Sequence, residues 1–449
     1  MTKPLKFLSR NRLAVVGIVV VLALAGFVSC NLRTQRHDPR LDAIRQAGYP
    51  VTPAELDAWY PAVPDSENVA LVFTNAFALL APPNASSSTL LGDIPLPARG
   101  RGLAPDDRAE LVSLLASNQA ALEIIRSVKS FTRSRYPADF KQGFDTLLPH
   151  LARVKSSVYL LAADAILDST DGKNEEALES LLTAGRVANS LTAEPLVISQ
   201  LVRMACWNVI LSRLELVLNS ATLTDDQLVL LQKMLAEAEQ PQTLARAFAG
   251  ERALGLGIFD APGGFMASQS SPKGGERMGA RLGIGVFKIT GLFQKDRSYF
   301  LDVMATNIAA AELPYSERFK AGQQAAALTM TRPNRFCIMS GMLLPALAKV
   351  HGKDADQTAH VRVAQAALAV ERHRRAHGGA LPESLDQLSP NYLKLVPTDP
   401  IDDQRLRFKA VGSGYLIYSI GSDAKDDGGT ELNPKNPSAA HDITFIVER

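Results

Sequence analysis

The chain has 449 residues and a formal net charge of +2, from 48 Lys and Arg against 46 Asp and Glu. That near balance exerts no strong pull on a phosphate backbone, and no basic patch interleaves aromatic residues, so the residues make no case for nucleic-acid binding. Three cysteines in a chain long enough for two domains with real cores exclude a disulfide-stapled scaffold.

Residues 1–12 carry Lys3, Lys6, Arg10 and Arg12 and no acid, and a charge-free apolar run follows from Leu13 through Cys30 to Leu32. At about 1.5 Å of rise per residue, such a run crosses a hydrocarbon core of about 30 Å. Its basic flank and terminal position favour an export or anchoring segment over a buried core helix. The run is also longer than the roughly 7–15 apolar residues of a cleavable signal, which points to an uncleaved signal anchor over 13–32. A second fate is lipidation at Cys30, because Gly26-Phe27-Val28-Ser29-Cys30 forms a loose lipobox. The expectation is a single pass through a bacterial inner membrane, with 1–12 in the cytoplasm and the bulk of the chain in the periplasm or otherwise outside it.

After a polar linker at 33–40, Thr52-Pro53-Ala54-Glu55 reads as a capping box opening a short helix through Trp59. Asp65-Ser-Glu67-Asn68 reads as an N-cap for a helix whose apolar face carries Val69, Phe73, Ala76 and Phe77. A Pro-, Ser- and Gly-rich loop covers 81–105. From there to about 258 the apolar spacing is helical, with segments at 144–167, 174–191, 195–218 and 224–239. Short connections between helices of similar length imply antiparallel hairpins. Residues 260–292 read as a glycine-rich excursion, and a last long helix spans 355–377. Cys206 and Cys337 fall within apolar helical patterns and read as two buried thiols.

Few motifs carry chemistry. No Gly-x-Ser-x-Gly, Walker A or His-Glu-x-x-His sequence occurs. His373 and His377 share a helix face, but Arg374 and Arg375 between them oppose a cation. Ser270 and Lys273 have the spacing of a nucleophile and its base, but Pro272 opposes the helix that would aim them. Arg126, Lys129, Arg133 and Arg135 cluster near a helix end, where they either hold an anion or complement the helix dipole.

The end of the chain is different in kind. Gly378-Gly379 caps the long helix, a short helix follows within Leu381–Leu388, and strands are expected at 405–410, 414–420 and 442–447. Between the last two strands, Asp423, Asp426 and Asp427 fall within five positions and Gly428 and Gly429 follow. Carboxylates beside glycines that let backbone carbonyls converge suit a hard cation, with calcium the first candidate. Asp423, Asp427 and Asp442 are the first ligands to consider, then Asp426 and Ser419. The alternative is a solvated acidic hairpin, since Asp and Gly favour turns without any ion.

Taken in order, the helix ending Val370-Glu-Arg-His-Arg-Arg-Ala-His377-Gly378, the Leu381-Pro-Glu-Ser segment, Asp399-Pro400 and the Asp-Gly loop resemble the C-terminal globular part of type II secretion major pseudopilins. The likeness covers about 90 residues and implies an α+β module with a structural calcium loop. The family's Asp-Pro-Trp-Gly stands here as Asp399-Pro400-Ile401-Asp402, and its Glu near the start of the apolar helix is absent from 13–32. The whole chain is similar to large membrane-anchored bacterial proteins that append this module to a helical region.

The expected fold is mainly α: an irregular array of antiparallel helical hairpins at 41–350 behind a transmembrane helix, then a pseudopilin-like α+β module at 351–449. The expected role is non-enzymatic, a scaffold that binds a protein partner in the envelope or its secretion machinery. The alternative is an envelope hydrolase with its site between the helical domain and the terminal module.

Overall fold

A computed structural model describes residues 38–81, 96–130, 133–260, 292–330, 337–436 and 438–449. The expected membrane span, Cys30, most of the 260–292 excursion and the Ser270/Lys273 pair lie outside the described residues. No helix among the described residues is long and apolar enough to cross a membrane.

The architecture is mainly helical with a small antiparallel sheet at the end. Helices α1 (Pro39–Gln46), α2 (Pro53–Trp59) and α3 (Val69–Phe77) come first, then α4 (Pro105–Ser117) and α5 (Gln119–Ser127). Local chemistry sets their starts. Thr52 accepts from the Glu55 amide, with Pro53 in the first turn. Asn68 caps α3 through the Ala70 amide, and its carboxamide also exchanges two 2.9 Å bonds with the Arg135 backbone, so a residue expected to cap also pins a distant segment.

Helices α6 (His150–Thr170), α7 (Asn174–Asn189), α8 (Val197–Ser220) and α9 (Asp225–Ala238) follow, with α6 packed closely on α7 and α8, and α7 also touching α8 and α9. The Thr224/Gln227 capping box that opens α9 is complete in both directions. Trp207 on α8 is fully buried, and its indole N–H donates to Asn189 Oδ1 at 3.1 Å. Helices α10 (Thr243–Asp260), α11 (Leu292–Glu312) and the short α13 (Ile338–Leu343) pack around a second core that includes Phe248, Phe300 and Met304, and α12 (Tyr315–Met330) packs on α11. Cys206 and Cys337 are both buried thiols.

The long α14 (Val350–Ala376) ends as expected, with Gly378 at φ +60° and the Gly379 amide bonded to the Arg374 carbonyl at 2.7 Å. It is the spine of the molecule. One side packs on α8, α9 and α12, and the other on the sheet β1 (Arg407–Val411), β2 (Gly414–Ser419), β3 (Ile443–Val447). The strands pair in sequence order, all antiparallel, with Ile417 opposite Phe408 and Phe445. Odd-numbered side chains Tyr415, Ile417, Ile443, Phe445 and Val447 join the same apolar core as the hairpins around α6 to α9. Sequence position separates the sheet from those hairpins, but one core holds both.

Candidate functional site

The acidic loop crosses the outer face of the sheet. Gly429, at φ +81°, lies so close that a Cβ there would stand 2.5 Å from Leu416 Cδ2, so the loop needs glycine for both conformation and room. Asp442 is its centre. The Asp442 carboxylate, 2% exposed as a residue, accepts from the Asp427 amide at 3.3 Å and the Gly429 amide at 2.6 Å. Burial pushes its pKa up, the two amides oppose that shift, and neighbouring Asp426 and Asp427 add to it.

The expected ligands divide into two groups. Asp427 and Asp442 come together, and Asp427 Oδ2 is buried without a hydrogen-bond partner. Asp426 stands beside them, accepting from the Gly428 amide at 2.9 Å with Arg407 Nε 3.9 Å away. Asp423 turns back on the Lys425 amide at 3.1 Å. Ser419 points under the sheet end, where its hydroxyl donates to Asp399. A cation is already present, since Lys409 Nζ donates to the Gly428 carbonyl at 2.8 Å while packing over the Tyr418 ring. No group of three or more His, Cys, Asp or Glu side chains among the described residues is arranged to hold a metal ion.

Asp399, which sequence reading treated only as part of an Asp-Pro segment, organises this end of the molecule. Fully buried, it accepts from Ser419 Oγ at 2.9 Å, Ile420 N at 3.1 Å, Ile401 N at 3.0 Å and Arg407 Nη1 at 2.6 Å. Those bonds tie the Asp-Pro turn to the end of β2 and the start of β1. Asp-Pro before a strand was the available signal, but the spacing of 20 residues to Ser419 carries none. Nearby, Asp356 on α14 holds Ser422 by both its amide, at 2.8 Å, and its hydroxyl, at 2.9 Å, which fastens the start of the acidic loop to the spine.

The other weighed candidates have structural partners. Arg126 pairs with Asp164, Lys129 with Glu179 at 3.0 Å and Arg133 with Glu67 at 3.6 Å, while Arg135 reaches the Asp57 carbonyl at 3.1 Å and covers the Tyr60 ring. The cluster therefore staples elements together. His373 and His377 stack ring on ring at 4.0 Å, each Nδ1 facing a backbone carbonyl.

A cavity of about 310 Å³ opens where the end of α14 meets the α8–α9 connection, with Arg374, Arg375, Glu371 and Arg449 in its wall. This is the junction where the hydrolase reading would place a site. Both Glu371 oxygens there are occupied, by Arg374 at 3.1 Å and Arg449 at 2.6 Å, and Arg375 donates to the Leu223 carbonyl at 2.7 Å. The Arg449–Glu371 pair fastens the chain end after β3 to α14, and Arg375 and Arg449 bond carbonyls at and after the end of α8.

No family model, curated protein or solved structure matches this chain. The class that the architecture defines is a mainly helical protein with a small antiparallel sheet built onto its last long helix.

Proposed function

We propose that this chain is a membrane-anchored, extracytoplasmic scaffold, whose helical hairpins present a binding surface to a protein partner in the envelope or its secretion machinery. The observation that carries the reading is the placement of α14. One helix packs on both the hairpins and the sheet, so anything bound by the terminal module is held in fixed geometry to the helical array. That suits a scaffold, which must present surfaces at defined positions. Within this reading the terminal module is pseudopilin-like. Calcium would sit between Asp427 and Asp442, with Asp426 beside them, supplying positive charge to a loop whose carboxylates otherwise repel one another.

The buried Asp427 Oδ2 without a partner supports the ion, since an unpaired carboxylate oxygen is costly to bury. Ser419 and Asp423 are committed elsewhere, so backbone carbonyls or water would complete the six to eight ligands. The test of the scaffold is crosslinking of the full chain in intact cells, followed by purification from detergent-solubilised membranes. One or two envelope proteins recovered in fixed proportion is the expected result. Recovery of the chain alone, at matched expression, would overturn it.

A further inference from the structure

The apolar run ends in sequence at Leu32, six residues before Asp38, where the described structure begins. An extended chain covers at most about 3.3–3.6 Å per residue, so a run seated in a bilayer holds Asp38 within about 20 Å of it. The inference rests on that membrane-anchored reading and adds to it which face of the fold meets the lipid.

Three parts of the chain converge near that point, all on the first half of α11. Arg40 donates to Ser298 Oγ at 2.9 Å and to Asp302 Oδ1 at 3.3 Å while clasping Asp38 at 2.9 Å. Asp296, 2% exposed, caps α13 by accepting from the Met339 amide at 2.8 Å and the Ser340 amide at 3.2 Å. One turn on, Tyr299 OH donates to the Leu328 carbonyl near the end of α12 at 2.8 Å. The start of the described fold, the end of α12 and α13 are thus gathered on residues 296–302.

The side chains that α12 and α13 turn outward at this place are apolar. Leu328 is 47% exposed, Met330 64%, Ile338 37% and Met342 47%. Large aliphatic side chains left in water on segments that α11 holds together are unfavourable there, and such exposure marks an interaction surface. Unbranched Met side chains adapt to an irregular partner. Lipid is the occupant favoured by position, because the linker tethers this end of the fold close to the bilayer.

We infer that the α12–α13 end rests on the lipid surface, with Leu328, Met330, Ile338 and Met342 lodged at the boundary of headgroups and acyl chains. The apolar run is then one of two membrane attachments. The second sets the tilt of the helical array, which a single span joined by a short linker leaves free.

The test places a tryptophan at Met330 (Met330→Trp) or, as a control, at Leu395, a 76% exposed position on the terminal module (Leu395→Trp). The full chain is reconstituted into phosphatidylcholine vesicles with and without acyl-brominated lipid, and the added emission is read against the parent chain. Quenching at least threefold stronger at position 330 than at 395, unchanged when protein density is diluted tenfold, is the expected result. Equal, weak quenching at both positions in a chain that floats with the vesicles overturns the proposal while the anchor stands. A blue shift at 330 that fades on dilution, without quenching by lipid, overturns it in favour of a second copy of the chain. A chain that does not float with the vesicles overturns the anchor itself, and this inference with it.

Discussion

Ser419 Oγ donates to Asp399 Oδ1 across 2.9 Å, and both residues are fully buried. A hydroxyl at the end of a strand beside an acidic loop has the chemistry of a calcium ligand. Here it serves a carboxylate from the preceding turn, and that carboxylate also holds Arg407 and two backbone amides. Removing Asp399 leaves two buried amides and the Ser419 hydroxyl without their acceptor, while Arg407 keeps its pair with Asp402. Asp399→Ala is expected to cost about 2–5 kcal/mol in urea unfolding of the detergent-solubilised chain, from several buried donors left unsatisfied at about 1–3 kcal/mol each. Ser419→Ala removes one neutral donor and is expected to cost about 1 kcal/mol. Equal costs would show that Asp399 does not organise the turn.

Calcium in the acidic loop has a thermodynamic signature. A ligand that binds only the folded state raises its apparent stability by about 2.7 kcal/mol at a hundredfold excess over Kd. Thermal unfolding of the full chain is expected to shift upward with millimolar calcium, and Asp442→Ala to abolish the shift. Asp423→Ala is expected to leave most of it, because Asp423 faces Lys425 rather than Asp442. No shift in the parent chain would leave Asp427 and Asp442 as parts of a hydrogen-bonded hairpin.

His351 predicts a dependence on acid. It is 3% exposed, stacked on Phe248 at 5.0 Å and bonded through Nε2 to Asn307 at 3.1 Å, and burial first, then the nearby Arg318, lowers its pKa to about 4. Between that value and the unfolded histidine near 6.5, the unfolded chain binds a proton that the fold refuses. The stabilising contribution is therefore complete above about pH 6.5 and lost as pH falls through 4, on the order of 3 kcal/mol in all. Chemical unfolding followed from pH 7 to pH 4 is expected to show a flatter acid limb in His351→Gln. An identical limb in both proteins would place the acid sensitivity elsewhere.

Gly250 on α10 is held against the connection that precedes α8. A Cβ there would stand 1.8 Å from the Pro195 carbonyl oxygen, so Gly250→Ala must push helix and loop apart. The expected loss is about 1–3 kcal/mol, the usual cost of overpacking, even though alanine favours the helix intrinsically. A gain in unfolding midpoint would mean that the connection gives way at little cost.

Much of the fold was readable because its signals are local. Thr52 with Glu55, Thr224 with Gln227 and the Gly378-Gly379 pair each act within a turn of helix, where side chain and backbone meet whatever the rest of the chain does. The three strands fell within two residues of their expected ends, since β-branched and aromatic residues bounded by turn residues mark a strand locally, although β3 alone alternates buried with partly buried positions. The site was less legible. Asp427 beside Asp442 follows from loop chemistry, whereas the partnership of Asp399, Arg407 and Ser419 has no short-range signature.

The sequence alone determined the helices, their caps, the positions of the last three strands and the acidic loop between two of them. These features follow from periodicity and from residues a few positions apart. Only the tertiary structure decided that the sheet shares a core with the hairpins through α14, and that the basic cluster at Arg126–Arg135 is bound to carboxylates and carbonyls. It alone gave Ser419 to Asp399 rather than to the loop. The physical reason is that burial and charge pairing depend on which surfaces meet in space. Residue order constrains those meetings only through the packing of the whole chain.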